Sequence, residues 1–130
     1  MPPVSLRGTA RTPRAGSRGR ARRSAGRILE VGTGGGGIAH YFGTHPTLRC
    51  DVTAVDVHDI REIEEGYRFV KVEGVDLPFD DQSFDLVITN HVIEHVGDYD
   101  DQLRHLGEIH RVMKVGGSGY LAVPNCWMLT

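Results

Sequence analysis

Residues 27 to 42 read RILEVGTGGGGIAHYF, a short apolar run, then four consecutive glycines, then a helix-like stretch. Glycine admits positive φ and close approach of another group to the backbone, at a cost in chain entropy. A run of it between a strand and a helix therefore implies a ligand at the loop. It confines this part of the chain to a strand–loop–helix unit. An acid, Glu30, stands just before the loop. The loop satisfies G-x-G-x-x-G with Gly32, Gly34 and Gly37, and E-x-G-x-G-x-G with Glu30, Gly32, Gly34 and Gly36. Glycine runs match many patterns, so the surroundings carry the weight. The loop follows a strand, opens a helix, and is followed by Asp56, an acid at a strand end twenty residues after Gly36. A carboxylate there can accept both hydroxyls of a ribose. The alternative is a tight strand–helix turn with no ligand.

The remaining pattern repeats the alternation. RILEV (27–31), DVTAVDV (51–57), YRFVKV (67–72), FDLVIT (84–89) and GYLAV (119–123) read as strands. Helices are expected over 37–45, ended with the help of Pro46, and over 58–66, stopped by Gly66. LPFDDQS (77–83) is a turn-rich loop, and HVIEHV (91–96) a helical turn ended by Gly97. A longer helix spans 98–114, capped by Asp98, with Leu103, Leu106, Ile109 and Met113 as its apolar stripe and Gly116 and Gly117 as its stop. Strands alternating with helices imply an α/β fold with a mostly parallel sheet covered on both faces. No internal repeat is present.

Charge divides the chain. Residues 1–27 hold eight arginines and no acid, whereas residues 28–130 hold seven basic and seventeen acidic residues. Residues 1–25, rich in Arg, Gly, Pro and Ser, bury too little apolar area to offset chain entropy and are expected to be a disordered tail, or sequence upstream of the natural start. An arginine-rich arm can contact nucleic acid through phosphate, but no aromatic residue interleaves here. A transit peptide needs an amphipathic helix, which Pro13, Gly16 and Gly19 oppose. Residues 26–130 form the single expected domain. Cys50 and Cys126 lack C-x-x-C spacing, giving no disulfide framework and no zinc signature. There is no apolar leader and no run of membrane-spanning length, so the expected setting is cytoplasmic, with no membrane partner.

Two nucleotide classes suit such a loop. A dinucleotide brings an anionic pyrophosphate to the helix N-terminus. S-adenosylmethionine has no phosphate; it carries a sulfonium, an ammonium and one carboxylate. Glu30 lies at the loop, and no lysine or arginine lies between Arg27 and Arg49, which favours the cation. On this reading the glycines admit the methionine end to the backbone.

The motifs together resemble the class I S-adenosylmethionine-dependent methyltransferases, in particular the methyltransferase 11-like group, from about Arg27 to Asn125. ILEVGTGGGG resembles the first motif and VTAVDV the second, with Asp56 as the ribose acid. VEGVDLPFDDQSFDLVITNHVIEHV is similar to the family's Asp-Ala-x-x-Leu-Pro-Phe segment and the strand after it, and IHRVMKVGGSGYLAVPN to its Arg-x-Leu-Lys-Pro-Gly-Gly stretch. The resemblance implies a Rossmann-like, doubly wound sheet in order 3-2-1-4-5. It places Glu30, Gly32, Thr33, Gly34, Gly36, Asp56, Val57, Glu73, Gly74 and Asn90 at the cofactor. Glu73 falls where the family has an Asp for the adenine amino group, Gly74 where a backbone N–H meets the ring, and Asp76 competes with Glu73. Val115 replaces a proline before Gly116 and Gly117. Family members continue beyond VPN with a helix and two further strands, so a fragment or truncated reading frame is expected, with the fifth strand left as an edge.

The implied reaction is methyl transfer to an unidentified acceptor, expected to be a small molecule. Alignment of acceptor and methyl can contribute up to roughly 7–11 kcal/mol. His91, and more weakly His95, are the candidate general bases at the strand mouth, or else they shape the pocket. HVIEH (91–95) also matches H-x-x-E-H, an inverted zinc-peptidase motif. That reading needs a long helix and a third ligand, and no metal is expected. His40, His45, His105 and His110 read as surface or interface residues, and Trp127 as a terminal apolar residue without its packing partner. A nicotinamide-dependent oxidoreductase and an inactive remnant of the fold are the alternative functions.

Overall fold

The computed structural model describes residues 26–124. The expected tail at 1–25, and Cys126 and Trp127, lie outside the described residues. Five strands, β1 (Gly26–Val31), β2 (Cys50–Asp56), β3 (Arg68–Lys71), β4 (Phe84–Asn90) and β5 (Met113–Ala122), form one all-parallel sheet in order β3-β2-β1-β4-β5. Helix α1 (Gly37–Thr44) follows β1, and α2 (Tyr99–Val112) follows β4 after a 3₁₀ turn at Ile93–His95. Among the described residues no helix is long and apolar enough to cross a membrane.

The pleat sorts the core into two layers. Leu29, Val31, Val55, Phe84 and Val87 face α2 and meet Ile109 and Val112. Ile28, Val52, Ala54 and Ile88 face α1 and meet Ala39. Burial on both faces is why β1, β2 and β4 read as near-continuous apolar runs rather than as strict alternation. Leu29, Val55, Val87 and Val112 are fully buried, so truncating Leu29 to Ala costs about 2–5 kcal/mol. Asp98 caps α2 as expected. Its carboxylate accepts from Asp101 N at 2.9 Å, and the Asp101 carboxylate accepts from Asp98 N at 3.2 Å. This reciprocal pair satisfies two otherwise unpaired donors.

Five expectations are corrected. Residues 58–66 form no helix. The Glu62 and Ile63 N–H groups donate to Gly35 O at 2.8 and 3.1 Å, and Arg61 pairs with the Asp59 carboxylate at 2.7 Å, so the segment is held by the glycine loop instead of by its own carbonyls. Helix α2 ends at Val112, and Met113 passes directly into β5. Gly116 and Gly117 therefore stop nothing. They occupy a bulge in β5, between Met113 opposite Phe84 and Ser118 opposite Leu86. Gly117 fits there because a Cβ would lie 3.0 Å from Asp85 O.

The apolar stripe of α2 is also displaced. His105, Ile109 and Val112 are buried, whereas Leu103 is 50% exposed and Leu106 is 39% exposed. Spacing of four and three puts the buried trio on one face, and Leu103 lies about 200° round the helix from His105. His105 is accordingly a core residue, not a surface one. β5 is the outer strand of the described sheet and carries exposed Val115, Tyr120 and Leu121.

Candidate functional site

The carboxyl ends of β1, β2 and β4 open into a cavity of about 720 Å³, a size suited to a cofactor-sized ligand. This is where open parallel sheets bind ligands, at the point where strand order reverses on either side of β1.

The glycine loop is fastened to β2. Gly32 N and Thr33 N donate to Val55 O at 2.8 and 3.2 Å, and Gly34 N donates to the Asp56 carboxylate at 2.9 Å. Gly36, at φ 93°, lies against Tyr67 and Ile63; a Cβ there would collide with the Tyr67 hydroxyl. Gly34 differs. It lines the cavity at φ 54°, and a Cβ there would meet no atom within 4 Å. The loop is thus closed by protein at Gly36 and open to a ligand at Gly34.

Seven of the ten expected cofactor residues line the cavity: Gly32, Gly34, Asp56, Val57, Glu73, Gly74 and Asn90. Glu30, Thr33 and Gly36 do not border it. Glu30 is 2% exposed and sits beneath the loop, accepting from Thr33 Oγ1 at 2.7 Å and from the Ala39 N–H of α1. Burial pushes its pKa up, against the opposing pull of those two hydrogen bonds. Asp56 stays on the wall, where Gly34 N and His58 N hold its carboxylate.

Of the two acids competing for the third strand's loop, Asp76 is paired with Arg104 at 2.6 Å, whereas Glu73 has no hydrogen bond or ion pair among the described residues. Asp56, Glu73, Asp76 and Asp101 all border the cavity. Arg104, the cavity-lining guanidinium, is taken up by Asp76 and, at 3.7 Å, Asp101. The lining offers carboxylates and backbone N–H groups, and among the described residues no unpaired Lys or Arg borders it. It fits an adenosyl cation.

His91 and His95 both line the cavity. His91 adopts φ 59°, its N–H donating to Ala122 O at 2.7 Å. Its Nδ1 and the Nε2 of His95 each lie 3.7 Å from the same Glu94 oxygen. With His91 in the left-handed region and only a three-residue 3₁₀ turn after it, the two histidines do not sit at i, i+4 on an α-helix as a zinc peptidase requires. Among the described residues no cluster of three or more His, Cys, Asp and Glu has metal-holding geometry.

Sequence reasoning missed one cavity residue of interest. His105 is 3% exposed, borders the cavity from α2, and its Nε2 has no hydrogen-bond partner among the described residues. Burial holds its pKa below the ordinary histidine value. Its spacing of four from Ile109 was the available signal.

Residues 29–121 match the family described as a methyltransferase domain. The chain is 37% identical over 100 residues to a phthiotriol/phenolphthiotriol dimycocerosates methyltransferase of Mycobacterium leprae, covering 72% of this chain and 36% of that protein. It is 32% identical over 110 residues to a glycine/sarcosine/dimethylglycine N-methyltransferase of Actinopolyspora halophila, covering 75% and 18%. This chain thus spans little more than a third, or less, of the length of these curated relatives. The fold is shared with the crystal structure of a SAM-dependent methyltransferase from Aquifex aeolicus, at TM-score 0.59 and 21% identity, over 72% of this chain and 53% of that one.

Proposed function

The chain belongs to the class I methyltransferase family, whose cofactor is S-adenosylmethionine, and from that premise we propose that it transfers a methyl group to a small-molecule acceptor. The observation that carries this reading is the gap at Gly34 beside Asp56, a bare backbone and a carboxylate on one cavity wall.

Residues 26–130 serve as the cofactor-binding domain. The bound cofactor supplies a methyl carbon already activated by its sulfonium, so the chain's own task is to bind, align and handle a proton. Asp56 accepts from the ribose hydroxyls, while Val57 flanks the ring. Glu73 accepts from the adenine amino group, and Gly74 N–H meets a ring nitrogen. Gly32, Gly34 and Asn90 receive the methionine end. Glu30, Thr33 and Gly36 act from beneath, by holding the loop in shape. His91 takes the proton of an acceptor that must lose one, with Glu94 steadying the imidazolium that results, and His95 is the second choice. The proposed setting is cytoplasmic.

Calorimetric titration with S-adenosylhomocysteine and with NAD tests the reading. Binding of the former, weakened about 100-fold by Asp56→Ala, is expected. Tight NAD binding without S-adenosylhomocysteine binding would replace it with a nicotinamide oxidoreductase. Binding of neither would identify an inactive remnant.

A further inference from the structure

The segment that joins β3 to β4 carries Glu73 and Gly74 at the cavity, yet neither residue is tethered where it stands. Upstream, Val72 N donates to Asp56 O at 3.0 Å. The next backbone anchor is Leu77, where N donates to Glu108 Oε1 at 2.7 Å and O accepts from Arg111 Nη2 at 2.8 Å. Both backbone polar groups of Leu77 are therefore held by side chains of α2, and its own side chain is buried in the core.

Arg111 extends the hold along the loop. Its Nη1 donates to Phe79 O and to the Asp81 carboxylate, each at 2.8 Å. Nε and Nη2 are fixed on Glu108 at 2.7 and 3.0 Å. The backbone carbonyls of Arg111 and Val112 receive Gln82 N and Ser83 N at 2.8 and 2.7 Å. The planar fork of arginine suits this convergence of carbonyl and carboxylate oxygens, which lysine cannot reproduce. Neither Glu108 nor Arg111 borders the cavity.

We propose that Glu108 and Arg111, beyond the Arg104–Asp76 ion pair, form a positioning clamp that fixes the untethered span 73–75 by its far end, so that selectivity for the adenine amino group depends on two side chains that never touch the ligand. Holding the second end of a short span removes conformational freedom that binding would otherwise have to remove. Without the clamp, the Glu73 carboxylate no longer stands at a fixed distance from Asp56. The inference rests on the proposed contact between Glu73 and adenine.

The test compares two ligands on the full 130-residue chain: S-adenosylhomocysteine and its analogue with hydrogen in place of the adenine amino group. The wild type is expected to prefer the amino-bearing ligand about tenfold, and Glu73→Ala to abolish that preference. Arg111→Met is expected to bring the ratio near one while changing affinity for the analogue less than about threefold. Glu108→Gln, which keeps an acceptor for Leu77 N, should retain most of the preference. A general loss of stability would weaken both ligands together and leave the ratio in place. A cooperatively melting Arg111→Met with the wild-type ratio overturns the clamp; should that variant not melt cooperatively, Arg111→Lys is read by the same criterion. A wild type without any preference overturns the adenine contact and the clamp with it. A preference lost in Glu73→Ala but kept in the Arg111 variants overturns the clamp alone.

Discussion

Glu30 and Asp56 stand near the carboxyl ends of adjacent parallel strands, and both flank the glycine loop, yet the fold gives them opposite surroundings. Glu30 lies on the α1 side of β1, beneath the loop, closed off from the cavity and bonded to Thr33 and Ala39. Asp56, at the last position of β2, stands on the cavity wall and reaches back to Gly34 N. One carboxylate shapes the loop, and the other meets what the loop admits. The lesson is that an acid beside a glycine run marks a site without saying which side of the backbone it serves. Strand register decides that.

The comparison breaks most visibly in stability. Glu30→Ala leaves the Thr33 hydroxyl and the Ala39 N–H without their interior acceptor, and is expected to lower unfolding free energy by about 3 kcal/mol in urea titration. Asp56→Ala is expected to do the reverse: S-adenosylhomocysteine affinity falls by about 2.7 kcal/mol, measured calorimetrically, with a stability loss near 1 kcal/mol. Equal losses in both quantities for either variant would erase the distinction drawn here.

Gly34→Ala probes the gap between the two acids. A side chain there meets no protein atom, so the fold should lose only the roughly 1–2 kcal/mol of left-handed strain. Ligand affinity should fall at least tenfold because the approach to the backbone is filled.

The smallest effects lie in pH dependence. Glu30 has a raised pKa from burial. Above the ordinary glutamate value the native state still binds a proton that the unfolded chain has released. Stability therefore falls as pH rises from there through the raised value. His105, lowered by burial, acts at the other window: below the ordinary histidine value the unfolded chain protonates first, so stability falls as pH drops toward the lowered value. Melting temperatures across pH 4 to 8 should show the first slope vanish in Glu30→Gln and the second in His105→Gln.

Much of this was legible from residue pattern because β1, β2 and β4 are buried on two faces and Asp98 carries its own cap. The cavity wall at Gly32, Gly34 and Asp56 was likewise readable from glycine spacing and a strand end, whereas Glu73 and Gly74 followed only from the resemblance to the methyltransferase family. What escaped depended on partners distant in sequence. Residues 58–66 have helix-forming composition, but the Glu62 and Ile63 amides belong to Gly35. Gly116 and Gly117 look like a helix stop, and only pairing with β4 reveals a bulge. The Leu103 and Leu106 stripe was plausible by spacing, yet the sheet selected His105, Ile109 and Val112, a choice that needs the direction of β5. Glu30 could not be assigned to the underside of the loop without knowing where Ala39 lies.

The central position of β1 has a consequence for how the protein is made. Leu29 pairs with Val87, a partner 58 positions later in the chain. At ribosomal speeds of about 5–20 residues per second, the nascent chain waits roughly 3–12 s between the two. During that interval the middle strand of the eventual sheet has one neighbour at most, and its apolar edge is available to chaperones or to other unfinished chains.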